Sequence, residues 1–252
     1  MPIIQVGTYT IYYECVGEGI PLLLMHGWTD IGCDLLPVAQ ALSGYRCILP
    51  DLPGYGRSVP PFRTFPPDFY RRDTRVMSAF VDALNLSSIH VAGFSDGGEV
   101  ALMMGVMRPD LCRSVIAWGA IGSFGLEAAE RARRSKMPSW FDSRLEEKHP
   151  GQNVYQWHRA WVEGFAAMVE SGGDLSLSRA AEITCPLLLL LGEKDALNPP
   201  SAGRLYIRHA AREGVIRQFQ EIKEAGHPIH TDQPDAFVRS VRSFLKMVDQ
   251  HG

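Results

Sequence analysis

Short, continuous apolar runs recur along the chain, each followed by a turn rich in Gly, Pro or Asp and then by a stretch of helical periodicity. Runs that stay apolar without alternating are buried on both faces, so they predict parallel strands joined by crossover helices. The predicted strands are Leu22 to Met25, Cys47 to Leu49, Ile89 to Ala92, Val115 to Trp118, Leu187 to Leu191 and a later one over Arg217 to Ile222. Ahead of them, Thr8 to Cys15 alternates and predicts an antiparallel edge hairpin with Ile3 to Val6. The fold class that follows is α/β, a mostly parallel central sheet flanked by helices.

Each predicted strand runs into a turn with polar chemistry: His26-Gly27-Trp28, Asp51-Leu52-Pro53-Gly54, Gly93 to Gly98, Gly119-Ala120, Gly192 to Asp195 and Glu224 to His227. In an open α/β sheet ligands bind beyond the carboxyl ends of the strands, so these turns are expected to converge on one crevice. Between Gly119 and Cys185 the strand signal vanishes, and Glu127 to Gly173 reads as helices carrying Trp140, Phe141, Trp157, Trp161 and Phe165. That is too long for a plain connection and predicts a helical cap over 121–182, inserted into a core formed by 1–120 and 183–252. Trp157, Trp161 and Phe165 fall at helical spacing on one face, which serves packing onto the body. The same stripe makes Trp157 and Trp161 candidates for an aromatic ceiling that binds substrate.

The chain has 252 residues, 46% of them hydrophobic, enough for a large single core and too many for a disordered tail or a stapled mini-protein. Its 25 Lys and Arg stand against 28 Asp and Glu, a net charge of −3, so neither nucleic acid nor an anionic membrane is expected as a partner. The five cysteines are scattered, with neither metal-binding spacing nor a dense disulfide framework. The opening residues lack the pattern of a signal peptide, and the longest aliphatic run, Leu187 to Leu191, is too short to cross a bilayer. The expectation is a cytoplasmic protein acting on a small molecule.

Gly93-Phe94-Ser95-Asp96-Gly97 satisfies G-x-S-x-G, with an apolar strand before it and a helix-like stretch after it. A serine thrust out on a tight strand-to-helix turn needs neighbours without Cβ bulk. The helix that follows directs its N-terminus at the serine, where free N–H groups stabilise negative charge. A serine hydroxyl needs a base to take its proton and the base needs an orienting acid, so the motif calls for an acid and a histidine at later strand ends. Asp195 and His227 supply them in the order Ser, Asp, His. Asp195 could also simply cap the turn before Asn198-Pro199-Pro200. His230 competes with His227, which is preferred because it follows Gly226 at a predicted strand end. A His227 and His230 metal site is a poor fit, since H-x-x-H here lacks a glutamate at zincin spacing. His26 is read as a structural turn histidine. Asp51 precedes Ser95 and is expected to anchor its own turn.

Taken with His26-Gly27 and Asp51-x-Pro-Gly-Tyr-Gly-Arg-Ser58, these motifs make the chain resemble the α/β-hydrolase superfamily over nearly its whole length. Gly93 to Gly98, Pro66-Pro67-Asp68-Phe69-Tyr70, Trp118-Gly119-Ala120 and Gly192-Glu193-Lys194-Asp195 are similar to the biphenyl-hydrolase-like serine esterases, the valacyclovirase group, which hydrolyse α-amino acid esters. The resemblance implies an α/β-hydrolase fold with Ser95 as nucleophile, His227 as general base and then acid, and Asp195 holding the imidazole. It implies an oxyanion hole from the backbone N–H groups of Trp28 and Asp96, and no cofactor. The Asp96 side chain has two readings: a carboxylate that complements the helix dipole, or the receptor of a substrate ammonium group, conferring on the order of 10- to 100-fold preference for amino esters.

The expected function is a serine hydrolase cleaving carboxylic esters through an acyl-enzyme. A C–C bond hydrolase and a cofactor-free perhydrolase or haloperoxidase use the same three residues and stay open, as does a low-turnover ligand-binding protein of the same fold. The base must be neutral to accept the serine proton, so activity is expected to rise with pH through about 6.5, displaced by the partners of His227.

Overall fold

The computed structural model describes residues 2–138 and 142–251. Trp140 and Phe141, expected among the aromatics of the cap, lie outside the described residues. The strands are β1 (Ile3–Val6), β2 (Tyr9–Val16), β3 (Ile20–Met25), β4 (Tyr45–Pro50), β5 (Ile89–Phe94), β6 (Cys112–Trp118), β7 (Leu187–Gly192) and β8 (Arg217–Ile222). They form one sheet in the order β1-β2-β4-β3-β5-β6-β7-β8. β1 and β2 pair antiparallel, as do β2 and β4, and every other pair is parallel.

The helices, in chain order, are α1 (Leu36–Ala41), α2 (Phe69–Ala83), α3 (Asp96–Met107), α4 (Leu126–Arg134), α5 (Ser143–Lys148), α6 (Val154–Glu170), α7 (Pro200–His209), α8 (Ile229–Asp232) and α9 (Pro234–His251). Alternate residues of the apolar strands enter two separate clusters, which is why those strands read as unbroken hydrophobic runs. Leu23, Met25, Val91, Val115, Leu187 and Leu189 pack with α2 and α3. Leu22, Leu24, Ala92, Ile116, Leu188 and Leu190 pack on the other face with α1 and α9. β5 sits between β3 and β6 and is buried along its whole length, so the turn leaving it starts from a strand paired and buried on both sides.

Helices α4, α5 and α6 lie between β6 and β7. The inward face of α6, including Trp157, Phe165, Ala166 and Val169, shares the cluster of α2 and α3. Polar contacts from the α5–α6 junction hold the insertion to the loops after β3 and β4. His149 Nδ1 accepts from the Gly56 N–H at 2.9 Å and its Nε2 bonds the Thr29 carbonyl at 2.8 Å, while Gln152 Nε2 donates to the Gly54 carbonyl at 3.0 Å. Among the described residues no helix is long and apolar enough to cross a membrane.

Candidate active site

Ser95 leaves the end of β5 with φ 51° and ψ −116°, a strained backbone for a residue with a side chain, of the kind that concentrates at functional sites. The chain must double back within van der Waals distance of itself to do this. A Cβ on Gly93 would lie 2.1 Å from the Gly97 carbonyl oxygen, and one on Gly97 would lie 2.4 Å from that of Met25 and 2.5 Å from that of His26. Both positions therefore require glycine, and the second brings the turn after β3 against the elbow. The Ser95 N–H donates to the Trp118 carbonyl at 2.9 Å, tying the turn to β6. Asp96 opens α3, so by position its N–H has no intrahelical acceptor.

Ser95, Asp195 and His227 all follow carboxyl ends of parallel strands, β5, β7 and β8, and the sheet brings them together. His227 Nε2 is 2.9 Å from Ser95 Oγ, and His227 Nδ1 is 2.8 Å from Asp195 Oδ2. An ionised carboxylate only accepts, so the imidazole proton sits on Nδ1 and leaves Nε2 as an acceptor facing the serine. Asp195 Oδ1 accepts from the N–H groups of Leu197 at 2.9 Å and Asn198 at 3.0 Å. The carboxylate thus caps its turn and orients the imidazole at once. Asn198 Nδ2 donates to the Gly119 carbonyl at 2.6 Å, fastening the Asp195 turn to the end of β6. The Asp195 side chain is fully buried, whereas that of His227 keeps 19% of its surface exposed, enough for a proton donor and acceptor to meet a bound molecule.

The competing residues have other partners. His230 Nδ1 accepts from the Trp118 indole at 3.0 Å, and burial holds it neutral, down to about 4. His26 Nε2 accepts from the Leu52 N–H at 2.9 Å while Nδ1 donates to the Gly27 carbonyl at 2.8 Å, and burial lowers it to about 3. Asp51 accepts from the N–H groups of Gly32 and Arg57, each at 2.8 Å, anchoring its turn as expected.

The Asp96 carboxylate is buried at 7% exposure. Its Oδ1 accepts from Tyr70 Oη at 2.6 Å, and its Oδ2 has no hydrogen-bond partner among the described residues. Desolvation pushes its pKa up to about 6, against the Tyr70 hydrogen bond and the Arg63 charge. One turn along α3, Glu99 is also buried and accepts from the N–H groups of Ile121 at 2.8 Å and Gly122 at 3.0 Å. Burial raises Glu99 to about 7, and its two bonds tie the nucleophile helix to the start of the insertion.

Trp161, half-buried, stacks on Trp28 with centroids 4.3 Å apart and on Phe165 at 5.2 Å, so an aromatic row reaches from α6 to the turn after β3. Trp157 is only 2% exposed, sealed between His149 at 4.7 Å and Tyr55 at 5.5 Å. Of the two tryptophans proposed for a ceiling, Trp157 thus serves packing while Trp161 meets the Trp28 turn.

Sequence reasoning missed Tyr70, Glu99, Asn198 and His149. Tyr70 belongs to the Pro66 to Tyr70 motif, but its contact with Asp96 has no local signature, and nothing near His149 in the sequence marks it. Asn198 was visible only as part of a turn.

Residues 22–240 match the alpha/beta hydrolase family. The chain is 29% identical over 246 residues to the serine hydrolase BPHL of Mus musculus, covering 94% of this chain and 83% of that protein. It is 26% identical over 256 residues to the serine hydrolase BPHL of Homo sapiens, covering 96% and 85%. In three dimensions it is similar to a thermophilic esterase from Thermogutta terrifontis, with TM-score 0.74, 24% identity and coverage of 98% and 99%, a likeness of fold. Sheet order, insertion and sequence match agree: the chain belongs to the alpha/beta hydrolase family.

Proposed function

We propose that this hydrolase is a serine esterase that cleaves carboxylic esters through an acyl-enzyme. The observation that carries the reading is the unbroken chain Asp195, His227, Ser95, with hydrogen bonds of 2.8 and 2.9 Å ending on a strained serine. Ser95 Oγ attacks the ester carbonyl carbon as His227 Nε2 takes its proton. The same proton then passes to the departing alkoxide oxygen. Water attacks the acyl carbon as His227 Nε2 takes its proton, the acyl–Oγ bond breaks, and that proton returns to Oγ, releasing the acid and free Ser95. The backbone N–H groups of Asp96 and Trp28 are the donors for the oxyanion.

Asp96 supports a finer reading, in which the alcohol's acyl partner is an α-amino acid. A buried carboxylate oxygen without a partner is costly until a donor reaches it, and a substrate ammonium is the charged donor that fits. The BPHL relatives, serine hydrolases by name, are consistent with the coarser assignment.

The test compares kcat/KM for an L-valine ester with that for its desamino counterpart bearing the same leaving group, with Ser95→Ala as the blank. A ratio of about ten or more supports the ammonium site. A ratio near one reduces the protein to a general carboxylesterase, and no turnover of either ester above the blank overturns the ester assignment.

A further inference from the structure

Asp96 has two carboxylate oxygens, and among the described residues only one of them has a hydrogen-bond partner. Tyr70 lies in the first turn of α2, is 2% exposed, and packs on Phe69 with centroids 4.0 Å apart. Its hydroxyl donates to Asp96 Oδ1 at 2.6 Å. The helix that carries Tyr70 is itself anchored. Asp73, nearly one turn further, forms a two-pronged ion pair with Arg63, with the two side chains 1% and 2% exposed. The Arg63 guanidinium is in turn held 4.9 Å from the ring centres of both Tyr55 and Phe65. Tyr70 is therefore a donor fixed on a fixed helix, and it occupies Oδ1, while Oδ2 is buried with no hydrogen-bond partner among the described residues.

We propose that Tyr70 is a positioning residue for amino-ester selectivity: by holding Asp96 Oδ1, its hydroxyl presents Oδ2 to the substrate ammonium group. This rests on the reading of Asp96 as the ammonium acceptor. A rotating carboxylate loses orientation and spends part of its time with neither oxygen aligned, whereas a pinned one costs no reorganisation when the ligand arrives.

The same bond favours the ionised carboxylate. The titratable and charged groups that act on Asp96 are Tyr70, Asp73, Arg63 and His227, and Glu99, Asp30 and Tyr55 feel its charge in turn. Of these, Tyr70 is the one that touches the carboxylate by a hydrogen bond.

The experiment measures the amino to desamino kcat/KM ratio between pH 5 and 9 for the wild type, Tyr70→Phe, Asp96→Asn and the double variant. Any requirement for neutral His227 is shared by both esters and divides out. In the wild type the ratio rises as Asp96 ionises and falls again as the substrate amine loses its proton, in the region of ~7.7–8.0 for an α-amino group.

Tyr70→Phe is expected to lower the ratio at pH 7 by about 5- to 10-fold and to move its acid limb to higher pH, while turnover of the desamino ester stays within about two-fold. In the Asp96→Asn background Tyr70→Phe is expected to change nothing, because the effect passes through the carboxylate. A wild-type ratio near one overturns the Asp96 reading and this inference together. A wild-type preference that survives Tyr70→Phe unchanged overturns the inference alone. So does an equal loss on both esters, or a further drop in the double variant, since each assigns Tyr70 a role other than orienting Asp96.

Discussion

The carboxyl edge of the sheet and the helical insertion are held in place by different means. At the sheet edge, Ser95, Asp195 and His227 are each borne by a turn within five residues of a parallel strand, and their relative positions follow from strand pairing. The insertion has no such frame. It rests on an apolar face of α6, the aromatic row of Trp161, Trp28 and Phe165, and the two hydrogen bonds of His149. Under the proposed function, the sheet edge fixes the reacting atoms, and we propose that the insertion, with α2, shapes what reaches them.

If that division is right, a variant at the sheet edge removes the reaction and leaves the fold. Ser95→Ala has the largest expected effect, a loss of about 10⁴-fold or more in kcat with the thermal midpoint close to that of the wild type, checked by ester hydrolysis and differential scanning calorimetry. A variant that unfolds as well would mean that the elbow also holds the sheet together.

The same contrast explains what could be read in advance. The apolar strands, the serine turn and the set Ser95, Asp195 and His227 are legible because each rests on a local pattern: an apolar run, a glycine, a polar residue at the strand end. Ser95 and its glycines announce themselves within five residues, and the apolar strands do so because burial on both faces forces an unbroken run. Tyr70 and Asp96 meet only through the packing of α2 on α3, and His149 bonds Thr29 across 120 residues of chain. Neither contact leaves a period or a motif. Trp157 and Trp161 share a helix face, yet the fold seals one and sets the other against Trp28. Helical spacing specifies the face and not which residue along it is covered.

Asp96 follows Ser95 at the sheet edge and is held by Tyr70 of α2, and its variant sharpens the comparison. Asp96→Asn keeps the backbone N–H and removes the negative charge. The expected result is a loss of about 10- to 100-fold in kcat/KM for an amino ester with the desamino ester little changed, measured as paired initial rates. Equal losses on both esters would return Asp96 to the chemistry of the sheet edge.

His149 tests the docking of the insertion through pH. Burial lowers its pKa from the ordinary 6.5 to about 4, so between those values the unfolded chain binds more protons at this residue than the folded one. Its contribution to stability is fully present above about pH 6.5 and is lost as the pH falls toward about 4. His149→Gln is expected to cost about 1–2 kcal/mol at pH 7. It should also flatten the decline in stability toward pH 4 by up to about one proton, or ~1.36 kcal/mol per pH unit, read from urea unfolding at several pH values. An unchanged slope would show that His149 does not carry this part of the pH dependence. The smallest effect is expected at Trp161→Ala, about 1 kcal/mol of stability from the lost stacking and a rise in KM below about ten-fold, with kcat retained. A collapse of kcat there would break the division of labour between the two regions.

The most direct test of the central assignment is covalent. Folded wild-type protein treated with a fluorophosphonate should carry one adduct, and peptide mass spectrometry should locate it on Ser95. His227→Ala should label far more slowly, and Ser95→Ala should not label. An adduct on another residue, or none on the folded protein, would contradict the assignment of Ser95 as the activated nucleophile.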